Sequence, residues 1–176
     1  MVVSRNRSLL WFLILTAVVC STNAYAYERS TTTFTTAEKI ISDASSPPVK
    51  FLDNKVTLPD NWQHEQSGFY STVWYQITFT HTGKLNFQWA VYLPDVNMNA
   101  EVWLNGIRLG SGGSLLKPVS RYWHSPMMFT FSPSDLLHEN KLTIKVAAYA
   151  NEFGHLGLVT VGPVDIVAEI YKKYFF

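Results

Sequence analysis

Residues 100–111 alternate between apolar and polar positions, and this alternation predicts a β-hairpin. The run AEVWL at 100–104 has the period of two expected of a strand with one buried face. Asn105-Gly106 follows, the dipeptide that best tolerates the positive φ angles of a type I′ turn. Residues 107–109 then resume the alternation. The pattern therefore predicts a hairpin with Val102 and Leu104 facing a core and Glu101 facing outward.

The same periodicity predicts further strands on both sides of this hairpin. Strand signals lie at 49–58, 69–80, 89–93, 127–131, 142–148, 158–161 and 164–167. Residues 89–93 are apolar throughout, which is typical of a strand buried on both faces. Residues 132–137 predict one helical turn with a Ser cap and Pro at the first helical position. About eight short strands with regular turn signals predict an all-β, antiparallel β-sandwich, with a closed barrel as the alternative.

The amino-terminal residues predict a secretory signal. Arg5 and Arg7 precede an apolar run at 9–20, and small residues at Ala24 and Ala26 suit a signal peptidase. The run is too short to span a bilayer about 30 Å thick as a helix, although an uncleaved anchor stays as an alternative. We therefore expect a signal peptide at 1–26, a linker or arm at 27–48, the β-sandwich at 49–168 and a tail at 169–176.

Composition narrows the classes of function. Without the two arginines of the leader, 12 basic residues face 13 acidic ones, which gives no basic surface for a nucleic acid. The single cysteine, Cys20, lies in the leader, so the mature domain has no internal disulfide. Aromatic residues make up 15% of the chain, which favours β-sheets and also carbohydrate-binding surfaces.

The strand–turn–strand core resembles a known family. Trp74-Tyr75, AVYL at 90–93, AEVWLNG at 100–106, Gly110 and NKLTIKV at 140–146 resemble the sugar-binding domain of glycoside hydrolase family 2. The resemblance covers residues 58–146 and implies a galactose-binding-like jelly roll. The catalytic carboxylates of that family lie in a separate barrel domain, which this sequence does not contain.

Two stretches depart from that family. RYWHSP at 121–126 replaces its usual Gly-Tyr-x-Pro-Phe-like stretch, and the closing GLVTVGP at 157–163 also differs. Both resemble the extracytoplasmic sensor domain of bacterial membrane receptors that continue into a histidine kinase or diguanylate cyclase. Paired lysines and aromatic residues at 171–176 are typical of a segment close to a membrane. The resemblance implies a periplasmic ligand sensor, associated with the inner membrane if it is part of a longer receptor.

Three hypotheses for function remain open. The first is a sensor domain that binds a small ligand such as a saccharide and signals through the carboxy-terminal tail. The second is a secreted carbohydrate-binding module or a fragment of a family 2 glycoside hydrolase. The third is a structural β-sandwich that contacts other proteins.

The sequence offers a candidate ligand site but no catalytic one. Arginine can fork onto hydroxyl or carboxylate groups, aromatic rings stack on sugars, and amides form hydrogen bonds. The candidate ligand residues are Arg121, Tyr122, Trp123, His124, Trp103, Asn97 and Asn99. The alternative is that Tyr122 and Trp123 plug one end of the sandwich while Arg121 pairs with an acidic residue. In that alternative the opposite sheet or the amino-terminal arm covers Trp103, and the asparagines satisfy their own backbone. The scattered histidines show no metal-ligand spacing, and no nucleophile motif is present, so we expect no metal, no cofactor and no catalysis.

Overall fold

The computed structural model describes residues 30–51, 54–62, 71–82, 87–116, 118–121, 125–149 and 154–175. Residues Thr31–Phe176 belong to one compact unit. The strands are β1 (Thr32–Phe34), β2 (Thr36–Ile41), β3 (Lys55–Thr57), β4 (Asp60–Trp62), β5 (Ser71–Thr80), β6 (Trp89–Leu93), β7 (Val96–Asn97), β8 (Asn99–Leu104), β9 (Ile107–Ser111), β10 (Met127–Phe131), β11 (Glu139–Ala148), β12 (Gly154–Leu156) and β13 (Val159–Pro163). A 3-10 turn spans Pro133–Asp135, and helix α1 spans Val164–Phe175.

Two antiparallel sheets face each other across one core. The first sheet has the order β1-β13-β6-β10, and the second has the order β3-β2-β5-β11-β8-β9. A smaller sheet of β4, β12 and β7 completes the fold. Inward-facing residues of both large sheets form a single hydrophobic cluster, so the predicted antiparallel β-sandwich is confirmed.

The central hairpin forms as its sequence predicts. Val102 and Leu104 are fully buried, whereas Glu101 lies on the opposite face of β8. Asn105 has a φ of 51° and Gly106 a φ of 83°, as the predicted turn requires. All residues of β6 are buried, as the unbroken apolar run predicts. The 3-10 turn carries the predicted Ser132 cap.

The expected linker or arm at 27–48 needs correction, because residues 32–41 form two strands. β1 pairs with β13 in the first sheet, and β2 pairs with β5 in the second. The sandwich therefore begins at Thr32 rather than near Val49, and Val49 itself is fully exposed.

One buried lysine explains why the sequence pattern of β2 was misleading. Lys39 faces inward with only 7% of its surface exposed. Its Nζ lies 3.0 Å from Asp60 Oδ2, and Tyr75 OH donates to the same oxygen at 2.7 Å. A charge inside a sheet is tolerated when it is paired and hydrogen-bonded. Since these partners are distant in sequence, the alternation of β2 could not be recognised locally.

The carboxy-terminal prediction also needs correction. The sequence pattern predicts a strand at 164–167 and a tail at 169–176, but α1 runs through both. Val164, Val167 and Tyr171 have the spacing of one helical face, and with Ile170 they pack on Ala90, Tyr92 and Met128. The helix thus covers the outer face of the first sheet. In the described ranges, no helix has the length and apolar content needed to cross a membrane.

Candidate functional site

The loop at residues 112–121 carries Arg121 and is fastened to the start of β8. Gly112 N donates to Ala100 O at 3.0 Å, and Asn99 Nδ2 donates to Ser114 O at 3.2 Å. Ser114 and Ser120 then bond to each other: Ser120 N donates to Ser114 O, and Ser114 N donates to Ser120 Oγ, each at 2.9 Å. The loop is therefore closed on itself one residue before Arg121, whose side chain is exposed.

A small apolar cluster fixes the same loop from below. Met98, Val119 and Ala147 are buried together, and Leu115 and Tyr149 pack against them. Val119 N donates to Tyr149 OH at 3.0 Å. The loop is thus held by packing as well as by hydrogen bonds up to Ser120, the residue before Arg121.

The structure unites some of the predicted site residues and separates others. Asn99 and the Arg121 loop are joined through Ser114, as described above. Asn99 is fully buried, and its Oδ1 also accepts from Ala100 N at 2.8 Å, so its amide serves the protein's own backbone. Asn97, which is partly buried, lies in β7 opposite His155 of β12. The predicted residues Tyr122, Trp123 and His124, and the signal peptide at 1–26, lie outside the described residues.

Trp103 lies on the outer face of the six-stranded sheet within a row of polar side chains. The strand registers place Thr143, Gln76, Glu38 and Lys55 in sequence on one side of it. Arg108 of β9 lies opposite it on the other side. Trp103 is partly exposed, and its buried indole N–H finds no hydrogen-bond partner among the described residues. An aromatic ring flanked by hydroxyl, amide and charged groups suits a sugar face and its hydroxyls.

An ion pair borders Trp103 on the same face. Arg108 Nε contacts Glu101 Oε1, and Arg108 Nη2 donates to Ser111 Oγ at 3.1 Å. Ser111 Oγ donates in turn to Gly113 O at 2.9 Å, which ties β9 to the Arg121 loop. Arg108 is half exposed while Glu101 is largely buried, so the arginine is the group that faces solvent.

A second tryptophan lies beneath a lysine on this face. Lys145 Nζ lies 5.1 Å from the Trp74 ring centroid and donates to Ala44 O at 2.7 Å. Burial lowers the pKa of Lys145, while Glu101 and Asp43 act in the opposite direction. Trp74 is fully buried and its indole N–H, like that of Trp103, lacks a partner among the described residues.

A groove opens where the chain passes from the four-stranded to the six-stranded sheet. Two adjoining cavities of about 540 and 260 Å³ form it and share Phe34 and Thr78. The larger is lined by Thr32, Phe34, Thr78, Phe79, Thr80 and Glu139. The smaller adds Thr36, Ala37, Glu38, Lys55, Gln76 and Ile77. Sequence reasoning missed this groove; its one local signal is the alternation of Thr78 and Thr80 with apolar neighbours.

The described residues offer no metal centre, and the two carboxylates of the groove are too far apart to act as a catalytic pair. No group of three or more His, Cys, Asp or Glu side chains in the described ranges is placed to hold a metal ion. Glu38 and Glu139 both line the groove, but they pair with Gln76 and Thr80 on opposite sides of β5. Four residues along a strand and two strand spacings separate them by roughly 16 Å. Glycoside hydrolysis needs carboxylates about 5–9.5 Å apart.

Comparison with known proteins supports the fold. No family model matches the sequence, and no curated protein matches it. Solved β-glucuronidases do match in structure. The enzyme from Ruminococcus gnavus gives a TM-score of 0.56 at 8% identity, with 77% of this chain and 30% of that chain covered.

Two further β-glucuronidases give similar values. The enzyme from an uncultured Clostridium sp. gives a TM-score of 0.53 at 12% identity, covering 78% of this chain and 30% of that one. β-Glucuronidase 2 from Bacteroides uniformis gives 0.54 at 16% identity, covering 76% and 18%. The chain thus spans less than a third of each enzyme's length. At these identities the likeness concerns the fold, and it agrees with the resemblance to the sugar-binding β-sandwich of glycoside hydrolase family 2. It gives no support to the resemblance to receptor sensor domains.

Proposed function

We propose that this chain is a non-catalytic carbohydrate-binding β-sandwich that works as an accessory domain of a larger carbohydrate-processing protein. The observation that carries the proposal is the outer face of the six-stranded sheet around Trp103. There the partly exposed ring of Trp103 lies between Thr143 and Arg108 on neighbouring strands. The fold shared with one part of the β-glucuronidases supports the same class. The separation of Glu38 from Glu139 argues against glycoside hydrolysis by this pair of carboxylates.

The proposed binding mode follows from the chemistry of this face. The Trp103 ring contacts the apolar face of a sugar, while Arg108 and the Arg121 side chain donate to its hydroxyls. The network through Ser114 and Ser120 holds the Arg121 loop in place, so little conformational entropy is lost when ligand binds.

A glycan array followed by calorimetric titration of the strongest ligand tests the proposal. Trp103→Ala should weaken binding at least roughly tenfold, because the stacking surface is lost. Arg121→Ala should weaken it by a smaller factor. Leu137→Ala is the control, since Leu137 is an exposed apolar residue that takes no part in the proposed contacts. An array without any bound glycan would reject the proposed class, and unchanged binding by Trp103→Ala would reject the site.

A second candidate is an extracytoplasmic sensor domain, exported to the periplasm by residues 1–26. Its support is the amphipathic helix α1, which packs on the outer face of the four-stranded sheet and exposes Glu169, Lys172 and Lys173. A ligand that shifts the sandwich between two states would reorient this helix and anything attached to it. Sequencing of the gene beyond the codon for Phe176 separates the two candidates. Membrane helices with a kinase or cyclase domain would favour the sensor, and a barrel with paired glutamates would favour the glycosidase.

A further inference from the structure

The groove between β1 and β5 exists because β2 leaves β5 early. β2 pairs with β3 from Thr36 onward, but it pairs with β5 only from Glu38 opposite Gln76. Thr36 and Ala37 therefore diverge from Ile77 and Thr78, and the chain crosses to the other sheet at Thr35. The divergence leaves a wedge between β2 and β5 that is lined by residues of both strands.

The lining combines an aromatic wall with hydroxyl groups. The rings of Phe34 and Phe79 lie 5.6 Å apart at an interplanar angle of 44°, and both stay partly exposed at the groove. The hydroxyls of Thr78 and Thr80 are exposed beside them. Within the described part of the chain, neither threonine side chain makes a hydrogen bond. Each hydroxyl therefore remains able to donate and to accept.

The charges of the groove are balanced locally. Lys55 lies directly opposite Glu38 on the neighbouring strand. Lys141 lies on the same face of β11 as Glu139, about 7 Å along the strand. Lys55 and Lys141 thus each have a carboxylate beside them, and the described residues bring no isolated positive charge to the groove for an acidic ligand. The carboxylates can still accept hydrogen bonds from the neutral hydroxyl groups of a ligand. Such bonds are stronger than those between two neutral groups, because the acceptor is charged.

We infer that this groove is a second binding site, which holds a short neutral saccharide. Its larger cavity, about 540 Å³, lies within the range typical of small-ligand sites. Gln76 and Thr143 connect it to Trp103, because the three residues lie side by side on adjacent strands, roughly 10 Å from end to end. The inference rests on the proposed carbohydrate-binding function and adds a location and a preference for uncharged sugars.

Calorimetric titration of the full chain with cellobiose, maltose, lactose and cellobiouronic acid tests this inference. Thr78→Val keeps the shape and strand preference of the side chain and removes the hydroxyl. Glu139→Gln removes the charge at an exposed position. Combined, the two changes should weaken binding of the neutral disaccharide at least about tenfold, because Thr78→Val removes a hydrogen bond to the ligand and Glu139→Gln removes the charge that strengthens another. The double control Thr130→Val with Glu169→Gln changes the same residue types at exposed positions elsewhere and should leave the affinity unchanged.

The outcomes separate this inference from the proposed function. If a disaccharide binds, and Trp103→Ala weakens it while the groove variants do not, the groove inference is wrong and the function stands. Binding of no sugar at all overturns both. Tighter binding of cellobiouronic acid than of cellobiose overturns the preference for neutral ligands. If an extended peptide, but no sugar, shifts the amide resonances of residues 77–80, the wedge accepts a strand and the saccharide inference fails.

Discussion

Asn140 is fully buried, and its carboxamide joins three segments of the chain. Its Oδ1 accepts from Leu137 N at 2.8 Å and from Asn105 Nδ2 at 3.0 Å, while its Nδ2 donates to Leu137 O at 2.8 Å. Asn105 Nδ2 also donates to Asp135 O at 2.8 Å, and its Oδ1 accepts from Lys141 N at 2.9 Å. The two amides therefore fasten the central hairpin to the 3-10 turn and to β11.

Asn140→Ala should lower the free energy of unfolding by about 2–3 kcal/mol, because Leu137 N and Leu137 O lose their buried partner. Urea denaturation measures the change. Asn54→Ala is the matched control: Asn54 is exposed, so its loss should change stability by less than about 0.5 kcal/mol. Equal effects of the two substitutions would contradict the role given to the buried amide network.

Part of this network could be predicted from the sequence. The Asn105-Gly106 dipeptide predicts a turn, and the positive φ of Asn105 confirms it. The sequence does not predict the side-chain bonds to Asp135 and Lys141, since a dipeptide signal describes local backbone preference and not partners some 30 residues away. In the same way, the residue types of Arg121 and Trp103 pointed to ligand chemistry, but the groove at Thr78 arises from a divergence of strands that no local pattern encodes.

Helix α1 is the element that closes the outer face of the four-stranded sheet. Val167 is fully buried against that sheet, in the cluster with Ala90 and Tyr92. The Tyr92 and Tyr171 rings meet edge to face, with centroids 6.1 Å apart. Without α1, apolar side chains of β6 and β10 would face water. The helix therefore belongs to the hydrophobic structure of the domain.

Val167→Ala should lower the free energy of unfolding by about 1.5–3 kcal/mol, from lost apolar burial and an unfilled cavity. The chain supplies its own matched control in Val49→Ala, since Val49 is fully exposed and contributes no burial. Thermal and urea unfolding of both variants measure the difference. A Val167→Ala variant as stable as the control would mean that α1 is not packed on the sheet in solution.

The sequence pattern does not reveal α1, because the helix begins directly after β13, a strand of similar apolar composition. Its apolar residues Val164, Val167 and Tyr171 lie only seven positions apart from first to last. Val159 and Val161 of β13 have strand alternation, and Val164 continues the apolar series. The period changes only after Pro163, where Val167 and Tyr171 establish the helical face. With so short a stretch, periodicity alone did not separate the two structures.

At the scale of the whole molecule, the two sheets depend on the segment that the sequence assigned to an arm. β1 is an edge strand of the first sheet, and β2 lies between β3 and β5 in the second. Lys39 of β2 completes the buried network with Asp60 and Tyr75. Removal of β1 and β2 would expose β13 and β5 and leave the largely buried Asp60 carboxylate without its cation.

A chain that starts at Ser30 should fold with one cooperative transition, whereas a chain that starts at Val49 should not fold. The physical reason is the loss of two strands and of the Lys39 partner, since breaking a buried ion pair alone costs about 3–5 kcal/mol. Circular dichroism with urea titration distinguishes the two chains. Cooperative unfolding of the shorter chain would contradict this expectation and would support a β-sandwich that begins at residue 49, as the sequence predicts.

Thr35 is the one residue between β1 and β2, which belong to opposite layers. A force applied to the chain before Thr32 therefore acts on both sheets in turn. It must first separate β1 from β13 and then pull β2 out from between β3 and β5. The short crossing thus couples the mechanical resistance of the two sheets. A single proteolytic cut at Thr35 would keep the force from reaching β2, while every other strand stayed in place.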